Sequence, residues 1–228
     1  MIVRMGLLKK RADINTDQFR RHWREVHGPL AAKVPGLRAY HQNHVVDKTQ
    51  LAIDHARGSW DLDGISELWF DDIDSMNSAI ASDAYKAVAA DSANCMAATS
   101  VIVAKQTDVV PHDRANATIK RMSILERKHG LTPDDFRHEW LDKHAAMVAK
   151  FPAIAGYSQN LVTQRGATPG IDSDDGDLAA DGIVEMWFRN TEDLTAAFRS
   201  PAAEVSQRHA LDFLQNITTF LVDVHVVV

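Results

Sequence analysis

The feature that most constrains this chain is a segment that it contains twice. Phe19, Trp23 and His27 are spaced four residues apart, and Phe136, Trp140 and His144 repeat that spacing. On a helix, positions i, i+4 and i+8 fall within about an 80° stripe, so each histidine points where its Phe and Trp point, towards an interior. The copies stay in register well beyond this helix. Residues 2–43 align with 119–160 without a gap, and 15 of the 42 pairs are identical. A second block, residues 63–70, matches 181–188 at 6 of 8 positions. A period of this length exceeds the roughly 20–50 residues of solenoid repeats. It marks duplication of a whole domain, with halves at 1–110 and 117–228 joined by a linker at 111–116.

Two domains in 228 residues leave each large enough for its own core. A net charge of −6 and a pI near 6.0 give no basic footprint, which argues against nucleic acid and anionic membrane as partners. The single cysteine, Cys95, excludes an internal disulfide framework and suits a reducing compartment. No run of 18 apolar residues occurs, and Met1 to Met5 reads as a strand rather than a signal peptide. A cytoplasmic, soluble chain is expected.

Each half reads β-α-β-β-α-β, the ferredoxin-like order. First strands are expected at 2–10 and 119–127. Asn15 with Gln18, and Thr132 followed by Pro133, Asp134 and Asp135, mark helix starts. Gly28-Pro29 is expected to interrupt the first helix just past His27, whereas Ala145-Ala146 should let the second run straighter. Second strands follow at 38–46 and 155–163, then long polar loops including 53–60 and 166–176, of a length uncommon without a function or disorder behind it. An Asp-Gly turn opens third strands at 65–70 and in the matching block. Second helices are expected at 74–90 and 192–214, the latter broken at Pro201, and closing strands at 99–110 and 218–228. At period two, Tyr40, Gln42 and His44 share one strand face and His41 and Asn43 the other, while Glu67 and Trp69 oppose Leu68. With helices on one sheet face, the two open faces can pack together into a pseudo-dimeric α+β barrel within one polypeptide.

The set Phe19, Trp23, His27, Pro35-Gly36-Leu37, Tyr40, Gln42-Asn43 and residues 63–70, nearly all of it recurring in the second half, resembles the EthD family of dimeric α+β barrel proteins. The resemblance implies a pocket between sheet and helices on the Tyr40/Leu68 face. Relatives in the superfamily include lactone isomerases, polyketide cyclases, decarboxylases and cofactor-free monooxygenases, besides members without known activity. In one lactone isomerase the matching helix histidine and the tyrosine thirteen residues later are functional. These are His27 and Tyr40 here, with His144 and Tyr157 in the second half. That relative also carries a cysteine where this chain has Leu68 and Met186.

The candidate catalytic residues are therefore His27, Tyr40, His144 and Tyr157. An imidazole with a pKa near 6.5 both takes and gives a proton at neutral pH, and a phenol donates to a carbonyl or enolate oxygen. The alternatives are a core histidine bonded to a backbone carbonyl and a strand tyrosine with its hydroxyl at the sheet edge. Candidate substrate contacts are Trp23, Gln42, Asn43, His44, Glu67, Leu68 and Trp69, with Trp140, Gln159, Asn160 and Glu185 in the second half. For the tryptophans the favoured reading is core. For Glu67 and Glu185 it is a pair of carboxyls partnered across the barrel interior. Extra histidines (His41, His44, His55) favour the first half if only one site works. No His/Cys/Asp cluster has metal-ligand spacing, and no Gly-x-Gly-x-x-Gly occurs, so neither metal nor cofactor is expected. The expected function is cofactor-free acid/base chemistry, of isomerase, cyclase, decarboxylase or lyase type, on a small aromatic, lactone or polyketide-like carbonyl compound. A cofactor-free monooxygenase and a non-catalytic binding or stress-response module are the alternatives. Self-association of the pseudo-dimeric chain as a homodimer is the one protein partnership expected.

Overall fold

The structure, a computed structural model, describes residues 1–113, 118–166 and 178–228. The loop expected at 166–176 and the linker expected at 111–116 lie largely outside these residues. The first half runs β1 (Ile2–Lys10), α1 (Thr16–His22), a π-helical turn (Trp23–His27), α2 (Gly28–Ala31), β2 (Ala39–Asp47), β3 (Gly64–Phe70), α3 (Ile73–Ile80), α4 (Asp83–Cys95) and β4 (Met96–Val110). The second repeats it: β5 (Ile119–Arg127), α5 (Pro133–Arg137), a π-helical turn (His138–His144), α6 (Ala145–Val148), β6 (Gly156–Arg165), β7 (Gly182–Phe188), α7 (Thr191–Phe198), α8 (Pro201–Phe213) and β8 (Leu214–Val226).

The eight strands close into an antiparallel barrel in the order β1-β3-β2-β8-β5-β7-β6-β4. Each half contributes a four-stranded ferredoxin-like sheet, and the two sheets join edge to edge through β2–β8 and β4–β6. Closure leaves neither sheet with a free edge. Among the described residues no helix is long and apolar enough to cross a membrane.

Local chemistry explains the element starts. Asn15 and Gln18 form a reciprocal capping box, as do Thr132 and Asp135 behind Pro133. The second helix of each half breaks in two. Ser200 caps α8 ahead of Pro201, as the proline predicts, but Ser82 caps α4 in the same way with no proline nearby. The continuous first-half helix expected over 74–90 is thus corrected to two, because a serine in an extended conformation offers a cap that restarts the chain.

The Asp-Gly pairs have two separate tasks. Asp63 and Asp181 accept the backbone N–H of Lys10 and Arg127 at the ends of β1 and β5. Gly64 and Gly182 make room for tryptophan, since a Cβ on Gly64 would stand 2.5 Å from the Trp23 ring and one on Gly182 would strike Trp140.

Strand alternation sorts the candidate residues. The barrel interior holds Val3, Met5, Ile65, Ile102, Met122, Ile124, Ile183 and Phe220, all fully buried. At its centre Lys120 Nζ lies 2.7 Å from Glu67 and 2.8 Å from Glu185. Asn43 and Asn160 donate to those two carboxylates at 2.8 and 2.6 Å. Asn43, Glu67, Trp69, Asn160 and Glu185 therefore face inward, and the reading of these five as substrate contacts is corrected. Period two puts them on the sheet face opposite Tyr40 and Leu68, where they surround an ammonium rather than a ligand. Burial and the neighbouring Glu185 raise the Glu67 pKa, and the Lys120 ammonium opposes that shift.

Candidate functional site

Each half holds a cavity between the outer face of its sheet and its helices, and the helical histidine and strand tyrosine line both. The pairs His27/Tyr40 and His144/Tyr157 come together as expected. What seats them is a widened helical turn. Gly28 N–H donates to the Trp23 carbonyl and Ala145 N–H to the Trp140 carbonyl, five residues back in both copies. The expectation that the second helix runs straighter is thus corrected. Ala145-Ala146 carries the same π turn, so Pro29 is not its cause. A feature shared by both halves is a strand glutamine: the Gln42 amide donates to the Trp23 carbonyl (2.6 Å) and the Tyr40 hydroxyl (3.1 Å). Gln159 does the same to Trp140 (3.0 Å) and Tyr157 (2.9 Å). Turns of this kind are frequent at functional sites. Gln42 and Gln159 are thereby tied to the protein rather than presented to a ligand.

The two cavities differ greatly in size. The first-half cavity is about 80 Å³. Its His27 Nδ1–H donates to Asp91 (3.0 Å), which also holds His22 at 3.0 Å. Burial lowers the His27 pKa and Asp91 opposes that shift. Tyr85 occupies the space beside them, with the Arg4 guanidinium 5.2 Å above its ring. His44 is fully buried against the Trp23 ring at 4.5 Å and accepts from Arg24 at 3.3 Å, apart from the cavity lining. Leu68 and Trp23 do line it.

The second-half cavity is about 530 Å³. On the α4/α8 alignment Tyr85, which lines the smaller cavity, becomes Ala203. Asp91 becomes His209, which sits 3.2 Å from His144 Nδ1 and whose Nε2 lies 3.2 Å from Glu139. The Glu139 carboxylate can only accept, so a neutral His209 carries its proton on Nε2 and accepts at Nδ1. His144 then donates from Nδ1 and keeps its lone pair on Nε2. Burial, reinforced by His209, pushes His144 down to about 3, so it is neutral at physiological pH. Burial raises Tyr157 above its ordinary value, which keeps its phenol protonated, and its oxygen accepts from Gln159. Trp140 and Met186 line this cavity with Phe151, Phe198 and Val184.

Two parts of this site went unread in the sequence. One is Arg121 on β5, buried in the cavity wall. Its signal was an arginine inside an apolar strand, repeated at Arg4. The other is the long first-half loop, whose Ile53, Asp54 and His55 line the second-half cavity. Gln50 ties this loop down by donating to the Ile217 carbonyl (2.9 Å) and accepting from Thr219 N–H (3.2 Å). Periodicity cannot show where a loop lands. The second-half cavity is the larger of the two, and of the extra first-half histidines only His55 lines it.

By structure, the chain is similar to an anthrone oxidase-like protein (8% identity, TM-score 0.65, 99% of this chain and 93% of the other). It is also similar to a candidate monooxygenase from Lactobacillus acidophilus (10% identity, TM-score 0.58, 99% and 94%) and to another from Fusobacterium nucleatum (8% identity, TM-score 0.59, 99% and 93%). At such identities the likeness shows the fold. No curated protein matches the sequence. The EthD domain matches residues 11–99 and again 128–214, one match in each half. The chain belongs to the EthD family.

Proposed function

We propose that the second-half cavity is the active site of an enzyme that moves a proton next to a carbonyl group in a small aromatic or polyketide-like compound. One observation carries this reading: His144 and Tyr157 line one largely apolar cavity of about 530 Å³, where burial favours the neutral imidazole and the protonated phenol. His144 Nε2 takes the proton from the carbon next to the carbonyl. Tyr157 donates to the carbonyl oxygen as it gains negative charge. The His144 Nδ1–H bond to His209, itself held by Glu139, orients the imidazole so that Nε2 faces the substrate carbon. Return of the proton to another carbon gives isomerisation, and collapse of the enolate onto a second carbonyl gives ring closure. On this reading the halves at 1–110 and 117–228 have diverged, the second working and the first serving as scaffold.

The test is solvent-deuterium exchange at the α-carbons of 2-tetralone, an enolisable ketone of suitable size, followed by NMR. His144→Ala should lower the enzyme-dependent rate by about 10²- to 10⁴-fold, the usual contribution of a positioned base. His27→Ala should leave the rate within about twofold. Exchange that survives His144→Ala removes His144 from the role.

A further inference from the structure

We propose that this cavity recognises a carboxylate on its ligand, and that Arg121 is the residue that receives it. The inference rests on the cavity being the working site and adds the substrate class. Arg121 is 1% exposed, yet only one of its three nitrogens is bonded. Nη2 donates to the Gln50 carbonyl and the Thr219 hydroxyl, each at 3.1 Å. Nε and Nη1 have no partner. Among the described residues no carboxylate lies within salt-bridge distance of it. Its face is covered by the Phe198 ring at 3.9 Å. A buried guanidinium without a counter-charge is costly, and proteins rarely keep one unless something pairs with it. Burial alone lowers its pKa, to about 9, which leaves it charged at neutral pH.

The contrast with the first half shows that the arrangement is particular to this cavity. Arg4 occupies the matching strand position, but there Tyr85 fills the space in front of it. In the second half Ala203 stands in place of Tyr85 and the Phe198 ring covers one face of the guanidinium, while Arg121 lines the larger cavity. Elsewhere in the wall, charged side chains lie towards the mouth, where Glu204 pairs with Arg208 at 2.9 Å. One cation among Leu125, Val184, Met186, Phe198 and Ile217 balances one negative charge on an otherwise apolar ligand. A phosphate monoester would bring a second charge that no second buried cation meets, since Arg199 and Arg208 of the wall are exposed at the mouth. The loop carrying Gln50 belongs to the first half, so the anion site is completed across the two halves.

The test is isothermal titration calorimetry of the full chain with 2-naphthoate, 2-naphthamide and 2-naphthyl phosphate. Wild type should bind the carboxylate about 10- to 100-fold more tightly than the amide, the range for hydrogen bonds to charged groups. Arg121→Met should lose that preference while still binding the amide, which shows that the cavity is intact. Arg121→Lys should recover part of it. Ligand-free Arg121→Met should melt no lower than wild type, whereas a purely structural arginine would lower the melting temperature when removed. The proposal is overturned by equal affinity for carboxylate and amide, by a preference that survives Arg121→Met, by tighter binding of the phosphate, or by failure of 2-naphthoate to bind. None of these results bears on tetralone exchange, because that ketone has no carboxylate, so the two readings fail separately.

Discussion

His144 owes its character to what surrounds it rather than to its position in a motif. Burial holds it near 3, below any pH at which the protein is expected to work. A base with a depressed pKa is in its active form above that value and loses it as pH falls through about 3. Tetralone exchange should therefore stay flat between about pH 5 and 8, with no inflection near the ordinary imidazole value of about 6.5. An inflection near 6.5 assigned to His144 by its loss in His144→Ala would contradict this environment. The recurrence of His and Tyr at matched spacings made these residues legible from sequence, because an interior direction follows from helical and strand periods. What could not be read is that Asp91 and His209, on a distant helix, give the two histidines different partners. The difference between Tyr85 and Ala203 was equally silent, since each is an ordinary apolar-face residue on its own helix.

At the scale of elements, β1 and β5 were legible to the residue, bounded as they are by charge and turn signals. The π turns were not, because the bond from the strand glutamine to the tryptophan carbonyl is a tertiary contact that no local pattern announces. Nor was the destination of the long first-half loop. The helix α4 differs functionally from α8 chiefly through Tyr85, which packs with Val88, Met76 and Leu68. Tyr85→Ala should lower stability by about 3–5 kcal/mol in urea denaturation, the usual cost of truncating a buried large aromatic residue. It should also enlarge the first-half cavity towards the size of the second. A neutral effect on stability would show that Tyr85 does not fill that space.

The whole molecule is a duplicated ferredoxin-like unit closed on itself, and the barrel follows from the repeat with little else required. Its symmetry is broken in two places. Inside the barrel, Lys120 stands where the first half has Val3, so one lysine serves both Glu67 and Glu185. Outside it, one cavity is plugged and the other open. Duplication relaxes the demand that both copies do the same task, and on the proposed reading the second copy is the one that binds the ligand. The seven methionines provide the measurement, since Met186 lines the open cavity and Met96 the plugged one. In a ¹³C-methyl-methionine NMR titration with 2-naphthoate, the Met186 signal should move and saturate while Met96 stays in place. Movement of Met96 with Met186 unaffected would place the ligand in the first half and contradict the account.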